Sequence, residues 1–183
     1  MTREECWTCV EANVESPNLR KHMLATEAVM RALARRLGHD EQEWGLAGLL
    51  HDLDVELTKD EPHTHGLLSA DVARELGATE TQARAIVCHN EAHGVARTTP
   101  LDHALWVADP LTGLVTAGAL VHPEKRLGAV TAESLLKRFR EKRFAAGASR
   151  EQIASCGQLG LSLEQLVTTG LGAMQAIAPD LGL

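Results

Sequence analysis

Residues 46–54 read Leu46-Ala47-Gly48-Leu49-Leu50-His51-Asp52-Leu53-Asp54, and they set a histidine and an aspartate inside an apolar run. Asp40 supplies an N-cap upstream. Trp44, Ala47 and Leu50 then lead to the pair, so the segment reads as a helix with His51-Asp52 at its C-terminal end. An imidazole and a carboxylate held among leucines are costly unless a partner satisfies them.

Working outward, the neighbouring segments are helical as well. Ser16-Pro17 opens and Gly38 closes a helix with Leu19, Met23, Thr26, Met30, Leu33 and Leu37 on one face. His22 shares a stripe with Leu19, Thr26, Val29 and Leu33. Downstream, His65, Leu68, Val72 and Leu76 line a helix closed by Gly77, and Thr79 caps another that runs through Ala83 and Ile86 to His89. Thr99-Pro100 opens a fifth, in which Leu101, Leu105 and Ala108 lead to Asp109. Pro110 follows at once and is expected to bend or break that helix, because its ring clashes with the preceding turn and it lacks a donor. Capped stretches from Thr131, Ser149 and Ser162 read as packing elements. No period-2 alternation is long enough to argue for a sheet, so the fold expected is an all-α bundle.

The composition agrees. The 183 residues suit one domain with a sizeable core. Apolar residues make up 44% but aromatics only 3%, with no Tyr, so core volume must come from Leu, Ala, Val, Ile and Met. A net charge of −7 argues against polymeric nucleic acid and anionic membranes as partners. No apolar run approaches the roughly 18–20 residues that span a bilayer, and the first residues lack the apolar stretch of a secretory signal. The four Cys are too scattered for a disulfide scaffold, and the Cys6/Cys9 pair reads as structural or incidental. These features lead us to expect a soluble cytoplasmic protein. The nine His do not suit an ordinary helical domain so comfortably.

In chain order the polar groups on apolar helix faces are His22, His51-Asp52, His65, His89 and Asp109. Several helices each contributing an inward His or Asp is what a metal centre in a bundle core requires. Imidazole nitrogens and carboxylate oxygens suit iron, manganese, nickel or zinc. A carboxylate can bridge two cations, so Asp52 is the expected shared ligand and the residue on which catalysis turns. Two cations would lower the pKa of a water and stabilise charge on a phosphoryl oxygen. The spacing leaves His63 beside His65, and His93 beside His89, as alternative ligands.

These ordered motifs resemble the HD-domain superfamily of metal-dependent phosphohydrolases, whose signature is H…HD…H…H…D. The matching residues are His22 in RKHMLATEAVM, His51-Asp52 in LAGLLHDLD, His65 in HTHGLLSADVARELG, His89 in AIVCHNEAHG and Asp109 in LDHALWVADPLTG. The resemblance covers about residues 17–121 and implies an HD-domain helical bundle. On it, residues 1–16 form an extension, 17–121 the metal-binding core, and 122–183 helices packed on the same domain. By the same analogy His22, His51, Asp52 and Asp109 hold one metal, and His65 and His89, with Asp52 bridging, hold a second. The branch it resembles in the LLHD and ADP-containing segments includes symmetrical dinucleoside tetraphosphate hydrolases, which favours iron.

The sequence departs from the related branches at Asp54 and Val55, where they carry a small residue and a phosphate-assisting lysine. A GYP element of the cyclic-dinucleotide branch is also absent. Lys21, adjoining His22, is expected to contact a substrate phosphate instead. The resemblance therefore implies hydrolysis of a nucleotide or other small phosphate ester or anhydride by metal-activated water. Alternatives are an HD-fold di-iron oxygenase and a non-catalytic nucleotide-binding module. The expected partner is a small phosphorylated substrate, with a homodimer left open.

Overall fold

The capping signals at Ser16, Asp40, Thr79 and Thr99 each have a physical counterpart in the computed structural model, which describes residues 1–183. Ten α-helices and no strands make up the fold. α1 (Arg3–Asn13) and α2 (Pro17–Leu37) are joined at Ser16, whose hydroxyl accepts the Leu19 amide. α2 ends at Gly38 with φ 77°. α3 (Glu41–Leu50) is capped by the Asp40 carboxylate, which accepts the Glu43 amide at 2.7 Å. α4 (Leu67–Glu75) and α5 (Glu80–Cys88) follow, then α6 (Pro100–Val121). Capping boxes at Thr79/Gln82 and Thr99/Asp102 start α5 and α6. α7 (Ala132–Phe139), α8 (Arg150–Ala154), α9 (Leu163–Ala176) and α10 (Ala178–Leu181) complete the chain.

α2 and α6 form the centre. α2 packs most extensively on α3, then on α9 and α6, while α6 also meets α5, α7, α8 and α9. The close approach of α3 to α2 depends on Gly48: a Cβ there would lie 2.9 Å from Met30 Cγ and 3.0 Å from the Thr26 carbonyl oxygen. α6 is apolar on nearly every side, as a core helix must be. By length and composition it could cross a bilayer, which no run in the sequence had suggested; 67% of its most apolar window is buried inside the protein.

Two expectations change. Pro110 does not break α6, which runs on as one helix with Pro110 buried in it. Tertiary burial of Leu105, Trp106, Val107, Leu111, Leu114 and Val115 outweighs the backbone bond that the proline cannot make. His65 lies in the turn before α4, because Gly66 (φ 89°) sets the helix start at Leu67. The buried face of α4 is Ser69, Ala70 and Ala73, while Leu68 is exposed. The first sixteen residues are helical over Arg3–Asn13, and Cys6, Val10 and Val14 join the 42-residue core that reaches to Leu181.

Candidate metal centre

Four imidazoles arrive at one point from different elements, and each is held by its Nδ1. His51 is the C-cap of α3, and its Nδ1 donates to the Gly48 carbonyl one turn back at 2.8 Å. His89 caps α5 in the same manner, with Nδ1 on the Ile86 carbonyl. His22, early in α2, donates from Nδ1 to the Thr112 hydroxyl at 2.9 Å. That hydroxyl donates in turn to the Asp109 carbonyl at 2.8 Å, so its oxygen is left as the acceptor. His65 donates from Nδ1 to Asp54 Oδ1 at 2.9 Å. These acceptors assign a proton to each Nδ1 and turn each Nε2 inward, the arrangement that metal-binding histidines adopt.

The inward atoms converge on Asp52. Its Oδ1 lies 3.4 Å from His51 Nε2, 3.4 Å from His65 Nε2 and 3.3 Å from His89 Nε2. Its Oδ2 lies 3.5 Å from His22 Nε2. Two trios result, His22–His51–Asp52 and Asp52–His65–His89, each with its ligand atoms within 4.8 Å of one another. Asp109 joins through His22, with Oδ1 3.2 Å from Nε2.

This set fits divalent cations. The Nε2 atoms of His22 and His51 are 3.3 Å apart, and those of His65 and His89 are 3.0 Å apart. With both Nδ1 protons committed elsewhere, two neutral rings would set lone pair against lone pair. A cation or a proton must lie among them. Without metal a proton takes that role on His22: burial opposes its charge, but hydrogen bonds to Asp109 and Asp52 outweigh burial and raise its pKa to about 10. Burial pushes His51 down to about 4, so it stays neutral. Burial would raise Asp52, but His51, protonated only in the acid range where Asp52 titrates, and hydrogen bonds from His22 and His89 hold it well below the carboxylate range.

Asp54 is the residue that sequence reading passed over as a mere departure. It is 2% exposed and accepts from His65 Nδ1, from the Gly66 amide at 2.8 Å and from the Ser69 amide at 3.1 Å. Burial would raise its pKa, but the hydrogen bonds from His65 and from the Ser69 and Gly66 amides hold it below the usual carboxylate range. It therefore orients His65 as a charged acceptor. The available signal was an acid set between Leu53 and Val55. Thr112 carried no comparable signal. Asn90 braces the same turn, its amide donating to the Pro62 carbonyl at 2.5 Å and the His65 carbonyl at 2.8 Å.

The remaining candidates lie apart. His63 is exposed, and His93 Nε2 donates to the His65 carbonyl at 2.7 Å, so neither faces the cluster. Arg20 donates to the Val14 and Glu11 carbonyls. Arg97 lies over the Trp106 ring at 3.6 Å. Lys59 is exposed. Lys21 is half-buried beside a pocket that His22 also lines. Cys6 is packed into the core, and Cys9 accepts from the Asn13 amide.

Comparison with known proteins yields a family and a set of relatives. A family model described as the HD domain matches residues 19–114, just over half of the chain. Ribonuclease Y of Oleidesulfovibrio alaskensis is 31% identical over 98 residues, which cover 54% of this chain and 18% of that protein. Ribonuclease Y of Nitratidesulfovibrio vulgaris is 33% identical over 76 residues, covering 42% and 15%. For Lawsonia intracellularis the figures are 28% over 130 residues, covering 71% and 23%. The chain thus spans less than a quarter of the length of these relatives.

Proposed function

The chain belongs to the HD-domain family, and from that premise we propose that it hydrolyses a nucleotide or another small phosphate ester or anhydride with the help of two divalent cations. The observation that carries the reading is the set of four Nδ1-anchored imidazoles whose Nε2 atoms surround one carboxylate. His22, His51, Asp52 and Asp109 would hold one cation, and His65, His89 and Asp52 the other. Iron is favoured, with manganese, nickel or zinc as alternatives. When bound, such cations lower the pKa of a coordinated water and neutralise charge on phosphoryl oxygens.

The residues of the chain do the rest. Asp52 holds both groups of ligands together, so its removal separates them. Lys21, one residue before His22, makes no hydrogen bond or ion pair within the protein and is free to meet a phosphate oxygen. In the reaction a water oxygen bonds to phosphorus, the bond from phosphorus to the leaving oxygen breaks, and that oxygen leaves with a proton.

The name of the relatives favours a second reading, cleavage of RNA. The net charge of −7 supports a small substrate over a strand, since a strand needs several cations along its backbone. Arg20 and Arg97 are also occupied within the fold.

The deciding experiment is anaerobic purification with metal analysis. A phosphate-release screen over mono-, di- and dinucleoside polyphosphates follows, with an oligoribonucleotide alongside. Asp52→Ala is expected to lose both metal and hydrolysis. Hydrolysis that survives loss of the metal would overturn the reading, and turnover of the oligoribonucleotide alone would select the second.

A further inference from the structure

A pocket of about 470 Å³ opens beside His22, within the size range of small-molecule sites. His22 lines it, so the pocket and the metal centre share that residue. Gly113, one turn after Asp109 on α6, also lines it, with Thr116, Ala117 and Leu120 from the same helix and Leu181 from α10. Among its lining residues Lys21 is the only lysine, arginine, aspartate or glutamate, and Asn18 and the chain-terminal Leu183 border it as well. Leu120, 54% exposed, offers an apolar side chain at its rim.

We propose that this pocket binds the organic body of the substrate, and that the substrate is a phosphate ester of a compact, largely apolar alcohol. The inference rests on the phosphohydrolase reading and deepens it. A phosphate placed between His22 and Lys21 sends its ester substituent onto Ala117, Leu120 and Leu181. Small side chains at Gly113 and Ala117 make the space, leucines supply the apolar contact, and the single cation meets the phosphate. A polyanionic strand would find a single lysine there, where its backbone needs several cations. Thr116, Ala117, Leu120 and Leu181 all lie beyond residue 114, outside the stretch that matches the family. The matched core holds the metal ligands, while selectivity comes from the part of the chain outside it.

Calorimetric titration of the manganese-loaded protein with n-hexylphosphonate and with methylphosphonate tests this without turnover. The hexyl compound is expected to bind at least about tenfold more tightly. Ala117→Phe fills the pocket and Leu120→Glu charges its rim, and each is expected to bring the two ligands within about threefold with metal content unchanged. Leu120 is exposed enough for its variant to fold even where Ala117→Phe does not. Equal affinities in the wild type, a preference that survives in both variants, or binding of an oligoribonucleotide but not of hexylphosphonate would overturn the proposal. Selective binding without hydrolysis of any phosphate ester would leave the subsite standing and sink the phosphohydrolase reading. Hydrolysis without selectivity would do the reverse.

Discussion

Asp54 shows how much a single buried acceptor can decide. Its carboxylate takes three hydrogen bonds, and only one of them, from His65, touches a ligand. Asp54→Asn keeps the shape but can donate where His65 also donates, so the ring is no longer pinned with Nε2 inward. Partners of this kind affect metal affinity by about 10–100-fold. Metal titration of Asp54→Asn should show that loss at one of two sites, while an unchanged isotherm would deny Asp54 its positioning role. His22 adds a pH dependence. With its pKa raised to about 10, it carries a proton at neutral pH that a cation must displace. Metal affinity should therefore rise with pH up to about 10, with proton release measurable in buffers of different ionisation enthalpy.

At the scale of elements, the turn between Asp52 and α4 is the sensitive part. Gly66 adopts φ 89°, and a Cβ there would sit 3.2 Å from His89 Cε1 and 3.3 Å from the Ile86 carbonyl oxygen. Gly66→Ala is thus strained by its own backbone and presses on a ligand ring. Its unfolding free energy, measured with denaturant, should fall by about 1–2 kcal/mol. Metal content should fall with it, since His65 and His89 flank the same point. Thr112 on α6 links two ligands across the bundle, so Thr112→Val should weaken metal binding with little change in helix content by circular dichroism.

For the whole molecule, charge and metal together set stability. The pKa of His22 is raised from 6.5 to about 10, so its contribution is complete below pH 6.5 and is lost as pH rises through about 10. The pKa of His51 is lowered to about 4, so between 4 and 6.5 the unfolded chain binds more protons and stability rises with pH. Metal-free protein should therefore be most stable near pH 6.5 in thermal melts and decline toward pH 10. Metal-loaded protein should lack the alkaline decline, because His22 no longer carries the proton. Cations at about 100 times their dissociation constant should add about 2.7 kcal/mol, which chelation removes.

Local chemistry made much of this readable from sequence. Caps at Ser16, Asp40, Thr79 and Thr99 act on amides three residues away, so the starts of α2, α3, α5 and α6 could be placed from the residues alone. The order of His22, His51-Asp52, His65, His89 and Asp109 within apolar surroundings was equally legible. Ring orientation was not. The acceptor for His22 is Thr112, ninety residues away, and the acceptor for His65 lies across an irregular turn. Helical periodicity cannot reach either. Tertiary packing also kept α6 whole through Pro110 and drew α1 into the core, since burial against distant helices outweighs a local backbone preference. The sequence by itself determined which groups could bind a metal. Only the folded chain decided that their lone pairs face one another, because that depends on where every Nδ1 proton finds its acceptor.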